Sequence, residues 1–218
     1  MKLIVPFIAA STLLTLAACG SNPPVPDWQM NAQGSIQRST DAYMSGNTRV
    51  EEAEYKRARE ALSSTGKVDL IIRAELIRCA ARVASLVFED CAGFDKLAQD
   101  ASPADRAYAA YLAGRATAAD VSLLPAQHQP IAAAASDSAG ASAEQAISDP
   151  LSKLVAAGVL LRAGKATPQV LADAVDTASA QGWRRPLLAW LGAQAMRAEK
   201  AGDSAEAQRL RRRIAISS

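Results

Sequence analysis

Apolar residues return at three- and four-residue steps from Val68 to Val87. Val68, Ile71, Ile72, Leu76, Cys79, Ala80, Val83, Leu86 and Val87 share one face, and Asp69, Arg73, Arg78 and Arg82 fall outside it. That period predicts an amphipathic helix with a buried stripe. Upstream, Glu51 to Leu62 alternates charges so that Glu52 meets Lys56 four residues on, above a thin seam of Val50, Ala53, Ala58, Ala61 and Leu62. This charge run reads as a solvated helix face. Downstream, Leu154, Val155, Val159 and Leu160 give Leu151 to Arg162 an apolar face. From Trp28 onward no stretch alternates as a strand would.

Helix punctuation divides the rest. Ser102-Pro103 caps and opens a helix that should run to about Leu112, and Asp149-Pro150 and Thr167-Pro168 are further starts of the same kind. Ala113-Gly114-Arg115-Ala116-Thr117 marks an end and nearly recurs as Ala163-Gly164-Lys165-Ala166-Thr167; Ala201-Gly202-Asp203-Ser204 is a third version. Thr117 is expected to cap a helix reaching Leu124. Between Gln127 and Ile147 the chain looks softest: Gln127 to Pro130 reads as a turn, Ser136 to Ser142 as a flexible connection, and Glu144 to Ile147 as the start of another turn.

Composition agrees with helices. About a fifth of the chain is alanine, the residue of highest helix propensity. With 218 residues, 50% of them hydrophobic, the chain suits one medium domain and is too apolar to be wholly disordered. A formal net charge of +2 excludes the basic footprint of a dedicated nucleic-acid binder.

Three glycine-centred turns between alanine-rich helices imply antiparallel helical hairpins. From Leu188 to Ala215 the chain resembles a tetratricopeptide repeat: Leu191, Ala195, Gly202, Asp203 and Ala207 occupy the family's large, small, Gly-Asp turn and small positions, while Ala198 and Ser204 stand where it usually has aromatics. The fold class expected is therefore all-α and repeat-like, as a tetratricopeptide-like solenoid or a compact helical bundle. The resemblance implies a non-enzymatic surface for protein partners.

The first residues carry an address. Lys2 precedes an apolar run from Leu3 to Ala18, the length of an export signal and short of the ~20 residues a spanning helix needs. Leu16-Ala17-Ala18-Cys19 resembles a bacterial lipobox, which implies cleavage before Cys19 and acylation of that residue. Gly20 in place of an aspartate resembles the signal for outer-membrane sorting. An ordinary secretory signal cut at an Ala-x-Ala-like site would instead leave Cys19 a bystander. The organisation expected is a cleaved signal peptide over residues 1–18, a lipidated, proline-rich tether over 19–27 spanning on the order of 25 Å, and a helical periplasmic domain over 28–218.

In an oxidising compartment the remaining cysteines, Cys79 and Cys91, form an even pair, for which a disulfide is the default. On one continuous helix they would stand ~18 Å apart, whereas a disulfide needs Cα atoms within about 7 Å. The helix carrying Cys79 must therefore end before Cys91, between Ser85 and Phe88.

Candidate sites are few. His128, the single histidine, reads as an exposed loop residue with no neighbouring catalytic set. No catalytic residue, metal site or cofactor is expected. Trp183, Arg184 and Arg185 form the most distinctive polar-aromatic cluster and a possible partner surface, with core packing the plainer role for Trp190. Arg209, Arg211, Arg212 and Arg213 complement the end of the last helix or meet an acidic partner, lipopolysaccharide or peptidoglycan. The functions these features imply are, first, a membrane-anchored envelope lipoprotein serving as a scaffold or assembly factor. A chaperone or pilot for an exported subunit is an alternative. An envelope enzyme, or a binder of small ligands or cell wall, is a further one.

Overall fold

The computed structural model describes residues 24–218 and is all-α over them, with eleven α-helices, short 3-10 turns and no strand among the described residues. The residues expected to form a signal peptide, Cys19 and most of the expected tether lie outside the described residues. No helix among them is long and apolar enough to cross a membrane.

Helices α1 (Asp27–Ser45) and α2 (Thr48–Ser63) form an antiparallel hairpin. Gly46 closes α1 at φ 87°, and Asn47 then caps α2 by accepting from the Val50 amide. α3 (Val68–Ala84) packs on this pair, and its end before Ser85 agrees with the limit set by the cysteines. The α2 face turned inward carries only part of the expected seam, with Ala58 and Leu62 on it. Glu51, Glu54, Ala58 and Leu62 are buried, whereas Val50 and Ala53 are exposed, and Lys56 pairs with Glu60. The supposed solvated charges at 51 and 54 lie at the helix interface because arginines on α1, α2 and α3 reach them.

After the short α4 (Ala92–Asp95), α5 (Pro103–Leu112) begins as expected with a full capping box between Ser102 and Asp105. Thr117 does not cap a helix. Its amide and hydroxyl both donate to Asp120, and the chain to Leu123 makes only turns. α6 (Gln129–Ala132) is one turn long. The segment expected to be a flexible connection is largely helical, as α7 (Asp137–Gln145). Ser136 caps it through the Ala139 amide, and Gly140 lies so close to Leu160 that an added Cβ would stand 2.9 Å from it. Small residues that look like linker are here what lets α7 approach its neighbour.

α8 (Pro150–Arg162) is the central helix. Leu154 to Leu160 are all buried, and it touches α3, α5, α7 and α9. A helix apolar on every side belongs in an interior. α9 (Pro168–Ala180), α10 (Arg184–Lys200) and α11 (Ser204–Ser217) follow as antiparallel neighbours. Gly114, Gly164 and Gly202 all adopt the left-handed conformation that closes a helix, as do Gly46, Gly66 and Gly182, which the sequence pattern did not single out. One apolar core runs from Tyr43 to Leu210, with a small satellite around Ala32, Tyr55, Leu62 and Ala74. α1 also touches α10, a contact between elements distant in the chain that an open stack of neighbours lacks.

Candidate functional site: a groove beside the disulfide

The C-terminal end of α3 organises the site. Its last turn closes with the Val87 amide on the Arg82 carbonyl and the Leu86 amide on the Val83 carbonyl. Leu86 occupies the left-handed position at φ 60°, where a side chain costs about 1 kcal/mol and glycine is usual. The chain therefore reverses sharply and brings Cys91 back to Cys79, with Cα atoms 5.9 Å apart in a disulfide. A loop of this size stabilises by roughly 3 kcal/mol in the chain-entropy account. Gly93 then sits against the Glu75 carboxylate, where any Cβ would collide with it. From α10, Trp190 donates its indole N–H to the Ala84 carbonyl at 3.0 Å, and Gly158 of α8 lies against the Val83 carbonyl.

Between this disulfide hook and α5 opens a groove of about 310 Å³. Val83, Val87, Phe94 and Leu112 contribute apolar lining, and Ala109, Ala110 and Ala113 present a small-residue face of α5. Arg106 and Arg115 from the α5 side, Arg162 from α8, and Glu89, Asp90 and Asp95 from the hook bring both signs of charge to its lining. Arg162 is anchored: it donates to the Leu112 carbonyl at 3.3 Å and lies 5.4 Å from the Phe88 ring centre. An apolar lining with charge of both signs suits a polypeptide segment better than a single small anion. Sequence reasoning found the disulfide but did not place a groove beside it. The available signal was the spacing of Arg106, Ala109, Ala110 and Ala113, which shares one helical face.

The Trp183 cluster is divided. Trp183 is half-buried against the core at the start of α10. Arg185 donates to the Tyr43 carbonyl at 2.7 Å and to Thr48 Oγ1 at 3.0 Å, with its guanidinium 4.4 Å from the Tyr43 ring centre, so it stitches α10 to the first hairpin. Arg184 is exposed beside Gly46. Trp190 is fully buried, in the plainer of the roles weighed for it. At the C-terminus, Arg209 pairs with Glu206 and Arg211 with Glu199 on the exposed surface.

His128 is a correction. It is 1% exposed, not a loop residue in solvent, because its 3-10 turn runs directly into α6 and turns the ring onto α5. The Tyr111 hydroxyl and Nδ1 are 3.1 Å apart, and the Tyr108 ring stands alongside. Burial holds the imidazole down to about 4, opposed by the charge of Asp149, so it is neutral at pH 7. Among the described residues no group of three or more His, Cys, Asp and Glu converges as metal ligands would.

Two kinds of buried carboxylate complete the electrostatics. Glu51 accepts from Arg78 at 2.7 Å, Glu54 from Arg38 at 3.0 Å and from Arg57, and Glu75 from Arg59. The Arg38 hydrogen bond is the main reason Glu54 lies below the usual carboxylate range. Glu144 on α7 is fully buried and neither of its oxygens has a hydrogen-bond partner; burial pushes it up to about 7, with Lys153 opposing. No protein-family model, curated protein or solved structure matches the chain.

Proposed function

We propose that the protein is a lipid-anchored envelope lipoprotein, held at the outer membrane through Cys19 and facing the periplasm, whose helical body is a scaffold or assembly factor for other envelope proteins. The observation that carries the interaction half is the groove between α5 and the disulfide hook, with its apolar lining and charges of both signs. The anchor rests on the signal-like run that ends at Leu16-Ala17-Ala18-Cys19. The Cys79–Cys91 bridge supports an oxidising compartment. The mechanism is binding rather than chemistry: lipid localises the body, and the groove receives an extended or helical segment of the partner. The same apolar lining favours a second reading, a chaperone or pilot that shelters an exported subunit.

Two variants test the reading in cells. Cys19→Ser should lose incorporation of labelled fatty acid and leave the membrane fraction; undiminished labelling and fractionation would end the anchor reading. Ala109→Arg fills the groove, and it should lose the envelope protein that co-purifies with wild type after cross-linking while keeping its helical circular dichroism. Equal recovery with both would remove the groove from the account. A scaffold keeps its partner in the assembled complex, whereas a pilot releases it, which pulse-chase of the co-purified protein distinguishes.

A further inference from the structure

One end of the molecule gathers apolar residues beside the point where the tether joins. The start of α1, the end of α2 and the start of α3 meet there, with Trp28, Leu70, Ile71 and Leu62 all part of the satellite cluster. Three more apolar side chains at this end stand in solvent among polar neighbours such as Gln29 and Ser64: Val25 is 51% exposed, Met30 54% and Val68 37%. Charge at this end is close to balanced, with Asp27 and Asp69 against Lys67, all exposed. Cys19 precedes Asp27 by eight residues, a reach on the order of 25 Å, so an acyl chain on it would hold this end and no other within that distance of a bilayer.

We infer that this end of the body rests on the leaflet that carries the Cys19 lipid, with Val25, Trp28, Met30 and Val68 entering its headgroup region. The inference rests on the anchor reading above and adds an orientation to it. So few apolar side chains would not bring a free protein to a membrane. Tethering changes the arithmetic, because the second contact becomes intramolecular and its effective concentration is set by a short linker. Near-neutral charge makes the contact apolar and therefore insensitive to salt. Trp28 suits such a boundary, since an indole is stable with one edge wet and one edge apolar.

The test uses the full-length lipidated protein in vesicles of phosphatidylethanolamine and phosphatidylglycerol, with a nitroxide attached at Met30→Cys or, as reference, at the exposed Met196→Cys on α10. Cys79 and Cys91 are bonded and take no label. Relaxation by membrane-soluble oxygen and by a water-soluble nickel chelate reports depth at each position. The expected result is that position 30 gains oxygen exposure and loses chelate exposure relative to position 196, unchanged at high salt. Two positions equally open to the chelate, in protein that floats with the vesicles, overturn the inference and leave the anchor standing. A contrast abolished by salt overturns the apolar contact. Protein that fails to float overturns both the anchor and the inference built on it.

Discussion

The first three helices and the last four solve the same packing problem with different chemistry. Around α1, α2 and α3, glutamates sit between helices and each is met by arginine, so Glu51, Glu54 and Glu75 are buried as partners. From α8 to α11 the contacts are mostly alanine, leucine and valine, and Gly158 lets α8 lie against the Val83 carbonyl. The one fully buried carboxylate near those helices, Glu144, has no arginine and tends to keep its proton instead. The difference shows that burial by itself does not fix the state of a charged side chain. Arg38, from another helix, holds Glu54 below the usual carboxylate range, whereas burial with no such cation pushes Glu144 up.

The largest effect should come from the joint between the two regions. Trp190→Ala removes a fully buried indole and leaves the Ala84 carbonyl without its donor, and should cost about 4 kcal/mol, read from the urea midpoint. A loss no larger than that of an exposed α10 substitution such as Met196→Ala would show that the regions do not share a core.

Next in size is a pair of opposing pH dependences. Glu144, raised to about 7, binds its proton more tightly folded than unfolded; its contribution is fully present below about 4.5 and is lost as pH rises through 7. His128, lowered to about 4, does the reverse: its contribution is fully present above about 6.5 and is lost as pH falls through 4. Each is worth on the order of 3 kcal/mol, and between those limits they largely cancel. Glu144→Gln should therefore unmask a steady fall in stability as pH drops from 6.5 to 4, against a flatter wild-type profile. Parallel profiles would mean that Glu144 ionises freely.

Arg78→Leu tests the ionic region alone. It takes from the Glu51 carboxylate the nearer of its two arginines and leaves Arg82 at 3.8 Å, so with Arg78 itself part-exposed the cost should be about 2 kcal/mol, smaller than for a sealed pair. Replacing both partners, as Glu51→Met with Arg78→Leu, should recover most of it. A double variant as unstable as the single one would show that the pair itself, and not the under-compensated Glu51 charge, matters. Gly164→Ala, in open space but at φ 71°, should cost only about 1 kcal/mol, all of it backbone strain.

The same contrast explains what was legible in the sequence. Local signals read correctly: glycine ends at 114, 164 and 202, the Ser102-Pro103 and Thr167-Pro168 starts, and the disulfide that forces α3 to stop. These depend on a few adjacent residues. The buried glutamates failed because their partners come from other helices, with Glu51 and Arg78 separated by 27 positions. His128 failed for the same reason, since the tyrosines that bury it lie on α5. α7 was misread because serine, glycine and alanine look like linker until a neighbouring leucine needs the space. Arg185 was noticed as an anchor for a partner, but it is anchored 142 positions away on Tyr43 of the same chain. The groove is of this second kind, assembled from α3, α5, α8 and the disulfide hook.

The groove as the partner-binding surface is tested most directly by a photoreactive amino acid placed at Ala110, and separately at exposed Ser179 on α9, in cells producing the full chain. The account predicts that irradiation yields a discrete adduct with an envelope protein from position 110 and none from position 179. An adduct from position 179, or from a label beside Arg184, with none from position 110 would contradict it.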